Sequence, residues 1–112
     1  MKMKKRLLIA LFVALLGCIL VGCAEEAVVD YPDVAVFEQD LNAGKDLTGK
    51  VVTFTVSELK PNSAFGYNMQ TGEHLNFCSE KNPNVTAGDT VTVRVLEVTS
   101  MMGSYIISYE FV

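Results

Sequence analysis

The chain predicts a small, mainly β barrel preceded by one short N-terminal helix. Three observations carry that expectation. Apolar residues recur at every second position in five stretches between Val52 and Phe111, the signature of half-buried strands. Gly, Pro or Asn punctuates the gaps between the stretches, as turns require. One helical stripe, Val34, Phe37 and Leu41, precedes them all.

The elements follow in order. Tyr31-Pro32-Asp33 reads as a helix start, because Pro is tolerated in the first turn and Asp suits a helix N-terminus. Asn42-Ala43-Gly44 ends the helix with a glycine cap. At about ten residues it is too short to stand without a sheet to pack on. Val52, Phe54 and Val56 alternate with Thr53, Thr55 and Ser57 as the first strand. Lys60-Pro61-Asn62-Ser63 reads as a turn. Phe65, Tyr67 and Met69 form the second strand, Thr71-Gly72-Glu73 a tight turn, and His74 to Cys78 the third, so residues 65–78 read as a hairpin. Ser79 to Gly88 contains Asn82-Pro83-Asn84 and is the longest loop. Val91, Val93 and Val95 form the fourth strand, and the apolar phase then moves to Leu96 and Val98, which predicts a bulge. Thr99 to Gly103 turns the chain into the fifth strand, where Tyr105, Ile107, Tyr109 and Phe111 alternate with polar residues. Five short strands with a long connection after the third fit a five-stranded Greek-key barrel.

The N-terminus carries a different signal. Lys2, Lys4, Lys5 and Arg6 precede a run of mostly apolar residues from Leu7 to Val21. A basic start, a short apolar run and a small-residue cleavage site make a secretory signal. The run is shorter than the ~20 residues a spanning helix needs. Leu20-Val21-Gly22-Cys23 has the form of a lipobox, in which the Cys23 thiol accepts a diacylglyceryl group and cleavage follows Gly22. Residues 1–22 then form the signal peptide, 23–32 the lipidated cysteine with a short tether, and 33–112 the domain. Localisation follows as a cell membrane or outer membrane, lipid-anchored and facing away from the cytoplasm.

Processing changes the charge. Residues 23–112 hold five basic residues against 13 acidic ones, a formal charge of −8, where the precursor has −4. An acidic domain repels phosphate backbones, so a nucleic-acid-binding domain is the alternative reading and nucleic acid a disfavoured partner. Cys78 is the one thiol left free after processing, so no internal disulfide can form, and burial is its expected state. One His and one Cys cannot build a four-ligand zinc site, and no nucleophile motif is present. No metal, cofactor or catalytic residue is expected.

Leu47-Thr48-Gly49-Lys50-Val51-Val52-Thr53-Phe54, Ala87-Gly88-Asp89-Thr90-Val91-Thr92-Val93 and Gly103-Ser104-Tyr105-Ile106 open the first, fourth and fifth strands. Through these stretches the chain resembles small bacterial lipoproteins and periplasmic proteins with an OB-fold, some of the tRNA-anti-like type. The resemblance covers roughly residues 33–112. It implies an OB-fold and a non-catalytic binding or scaffolding role in the cell envelope. The chain departs from nucleic-acid-binding members in lacking a basic groove.

An OB-fold binds on its second and third strands and the loops beside them. With Phe65, Tyr67, Met69, Leu75 and Phe77 turned inward, Asn68, Gln70, His74 and Asn76 face outward, with Cys78 beside them. Amides carry both donors and acceptors, which suits sugar hydroxyls or peptide backbone. The expected ligand is an envelope protein or glycan; a solvated sheet face would show the same pattern. Glu25, Glu26, Asp30 and Asp33 lack the glycine-centred spacing of a calcium loop and read as a solvated tether. Met101-Met102 sits in the last turn as an apolar pair, placed either to meet a partner or to cap the barrel end.

Overall fold

A computed structural model describes residues 28–112. The expected export signal, Cys23 and the first part of the expected tether lie outside the described residues. Helix α1 (Val34–Asn42) is followed by strands β1 (Val51–Thr55), β2 (Glu58–Ser63), β3 (Gly66–Thr71), β4 (Leu75–Ser79), β5 (Thr90–Met101) and β6 (Ser104–Phe111). The domain is mainly β, with one short helix and a curled half-barrel sheet.

Helix α1 forms where its caps place it. The Asp33 side chain accepts a hydrogen bond from the Ala35 N–H at 2.9 Å. At the other end Gly44 adopts φ +86°. The Gly44 N–H donates to Leu41 O and the Lys45 N–H to Asp40 O. This paired closure is a Schellman motif, and it needs a residue that tolerates left-handed backbone. Phe37 and Leu41 are buried against the sheet.

The sheet has six strands in the order β1-β5-β6-β4-β3-β2. All neighbours are antiparallel except β4 and β6. Strands β1 and β2 stand at opposite ends of that order, yet only Val56 and Ser57 separate them in the chain. There the backbone changes partners. The Val56 N–H donates to Asp89 O beside β5, and the Ser57 N–H donates to Gln70 O in β3.

Strand β2 corrects the expected count of five. Its residues include Lys60 and Pro61, which read as a turn. Proline is admitted on an edge or at a bulge, where no ladder N–H is required. Strand β2 is at the end of the sheet order, and its register with β3 shifts between Lys60 and Ser63. Pro61 sits inside that irregularity. A second irregularity falls where the apolar phase predicts it: the β5–β6 register shifts between Val95 and Glu97, leaving Leu96 unpaired and exposed.

The core lies inside the curl. Phe37, Val52, Phe54, Val56, Met69, Leu75, Phe77, Val93, Val95 and Ile107 are all buried in one cluster. Phe54 stacks on Phe77 with ring centroids 4.3 Å apart, and the Tyr109 ring meets Phe77 edge-on. Tyr67 is half-buried, but Phe65 does not join the core. It lies in the β2–β3 turn, 45% exposed, because the strand begins only at Gly66. Cys78 is buried and free.

Candidate functional site

Strands β3 and β4 pair so that Gln70 faces Asn76 and Asn68 faces Cys78. All four belong to the face turned away from Met69 and Phe77, as alternation demands. Three of the four expected site residues, Asn68, Gln70 and Asn76, therefore come together as one amide cluster. Asn76 Oδ1 accepts from Asn68 Nδ2 at 2.9 Å and from Gln70 Nε2 at 3.2 Å. Asn76 Nδ2 donates across to Tyr105 O of β6 at 3.1 Å.

The cluster is less open than alternation suggests. Asn68 and Asn76 are buried, and Gln70 is half-buried. Most of the capacity of Asn76 is spent within the protein, while Asn68 Oδ1 is buried without a partner. Gln70 is the member of the cluster that can meet a ligand most readily.

His74 is held separately, by a residue the sequence did not single out. Glu38 of α1 is buried, and its carboxylate accepts from the Glu73 N–H and the His74 N–H, each at 2.9 Å. His74 Nδ1 lies 3.2 Å from the same carboxylate. Glu38 thus stitches the β3–β4 turn to the helix. Gly72 makes room for it, since a Cβ there would collide with Glu38 Oε1. One sequence signal was available: Glu38 follows Val34 by four residues and so lies on the flank of the apolar stripe.

Gln70, His74 and Asn76 line one cleft of about 240 Å³ together with Glu58, Glu73 and Ser104. That is below the ~300–1,000 Å³ of ordinary small-molecule sites. It accommodates a single polar group, such as one sugar ring or one protein side chain. No Lys or Arg lines it, and two of its walls are carboxylates. The cleft therefore suits neutral or cationic groups and opposes phosphate.

Two residues of the acidic tether set have structural work instead. Asp33 caps the helix, and the Asp30 carboxylate accepts the Val51 N–H at 2.9 Å. Burial pushes the Cys78 thiol above its ordinary pKa, which suppresses thiolate chemistry. Among the described residues no cluster of three metal-ligating side chains forms. Family models, curated proteins and solved structures were each compared with the chain, and none matches it.

Proposed function

We propose that the protein is a lipid-anchored envelope lipoprotein whose domain is a non-catalytic OB-fold binding module for a protein or glycan. The anchor rests on the basic start, the short apolar run and the Leu20-Val21-Gly22-Cys23 tetrapeptide. The OB-fold reading draws support from the strand path. Taking β1 and β2 as two halves of one bent strand would leave five strands, with β4 and β6 as the parallel pair. That strand order supports a reading as a five-stranded Greek-key barrel.

The observation that carries the binding reading is the cleft in which Gln70, His74 and Asn76 meet Glu58 and Glu73. Its amides supply donors and acceptors, and its carboxylates exclude anionic ligands. A glycan array and an envelope-extract pull-down with the detergent-solubilised protein test it. Binding should be retained by Lys81→Ala, which lies outside the cleft, and weakened by Gln70→Ala and His74→Ala. Binding indifferent to both cleft substitutions would remove the cleft as the site.

A further inference from the structure

The tip of the β5–β6 hairpin is locally unfavourable in two ways. Met102 adopts φ +51° and is followed by Gly103 at φ +84°. Two positive φ values make the turn a primed hairpin type, which Asn, Asp and Gly fill at least cost. An unbranched apolar residue has no local reason to be there. Met102 is also 100% exposed, and its neighbour Met101 is 41% exposed. Backbone strain and an exposed apolar side chain at one residue point to a contact outside the domain.

The direction of the chain says which contact. Strand β5 runs antiparallel to β1, and the segment around Tyr31 pairs with Val52 in parallel. Followed backward from Tyr31, the chain therefore leaves in the direction in which β5 runs to its tip. Val28 is exposed at that exit, Val29 less so. Lys50, just before β1, is at the same end. The β2–β3 turn at Ala64 and Phe65 lies at the opposite end, because β3 runs from it to the β3–β4 turn, where Leu75 pairs with Tyr105 near the tip.

The distances are compatible with one surface. The last backbone bonds between this segment and β5 join Val95 to Lys50 and Gly49. Six residues beyond Val95, Met101 stands ~20 Å further along the strand direction. From Tyr31 back to Cys23 is eight residues, a reach of at most about 28 Å. A lipid on Cys23 can thus enter a membrane that the hairpin tip also touches. Charge agrees: no charged residue occurs from Val98 to Tyr109, so the tip meets the interface without burying an ion.

We propose that Met101 and Met102 insert into the lipid interface as a second membrane contact, fixing the barrel with its N-terminal end toward the bilayer. This rests on the reading of Cys23 as the lipidated residue. Flexible, polarizable Met side chains fill irregular apolar surroundings well. A second contact also stops a tethered domain from tumbling, and it turns the β2–β3 turn away from the membrane.

The test uses the full chain, processed in a bacterial host and reconstituted in phosphatidylcholine vesicles containing a lipid with a nitroxide high on its acyl chain. An environment-sensitive fluorophore is placed by Met102→Cys or, at the opposite end, by Ala64→Cys; the unsubstituted protein controls for labelling of buried Cys78. Acylation of Cys23 is checked on the same samples by intact mass. The expected result is an acylated protein in which the label at 102 is quenched several-fold more than the label at 64, with a blue-shifted emission. An acylated protein with equal quenching at both positions, or stronger quenching at 64, overturns the insertion and leaves the anchor standing. A chain without acyl groups overturns both.

Discussion

Glu38 controls a turn 35 residues further along the chain. Its carboxylate satisfies two backbone N–H groups of the turn, those of Glu73 and His74. Glu38→Ala leaves both without that acceptor and should lower stability by ~1–3 kcal/mol, since a hydrogen bond to a charged group contributes ~1.5–3 kcal/mol and water can replace part of it at this exposed turn. Urea denaturation measures it, and a loss under ~0.5 kcal/mol, the usual range for an inert surface change, would contradict the role. The amide cluster separates two further outcomes. Asn76 makes bonds to Asn68, Gln70 and Tyr105 O, while Asn68 makes one and keeps an unpaired oxygen. Asn76→Ala should therefore cost more than Asn68→Ala, by ~1 kcal/mol or more at the usual net worth of a hydrogen bond. Equal losses in the same denaturation experiment would contradict that ranking.

At the scale of the elements, the N-terminal segment is fastened to α1 by Tyr31. Its hydroxyl donates to Asp40 Oδ2 at 2.6 Å. That hydrogen bond is the main reason the Asp40 carboxyl titrates below its ordinary range, with Lys45 adding to it. The folded protein thus holds the charged carboxylate more firmly than the unfolded chain does. The stabilisation is complete above the ordinary carboxylate pKa and is lost as pH falls through the lowered value. Tyr31→Phe removes the chief cause, so its stability should fall less steeply with acid than that of the unsubstituted protein. Parallel acid profiles for the two proteins would show that the bond does not act this way.

Elements also show what was legible in the sequence. Val52, Phe54, Val91, Val93 and Val95 announce strands because local alternation reports a buried face. Asp33 and Gly44 announce the helix ends because caps are local chemistry. Strand β2 was hidden, since Pro61 breaks a ladder unless its position happens to be an edge, and edges are set by distant partners. The site was half legible. Alternation put Asn68, Gln70 and Asn76 on one face, but it does not tell how deeply flanking strands cover that face. His74 belonged to the cleft for a reason no local pattern contains, namely Glu38.

At the scale of the whole molecule, one end of the domain gathers the chain's N-terminal exit and the β5–β6 tip, and the other carries the β2–β3 turn. The polar cleft lies toward the tip end of the sheet, since Ser104 beside the tip lines it and Leu75, in its wall, pairs with Tyr105. Its acidic lining matches the charge of residues 23–112, −8 by composition. A module of this charge should show no salt-dependent retention on DNA at physiological ionic strength; retention that falls steeply with added salt would bring the nucleic-acid alternative back.

The whole account depends on Cys23. Intact mass of the membrane-extracted protein tests it most directly. The account predicts a chain beginning at Cys23 and spanning residues 23–112, heavier than its sequence by a diacylglyceryl group. A chain that retains residues 1–22, or one that begins at Cys23 with no added mass, would contradict it.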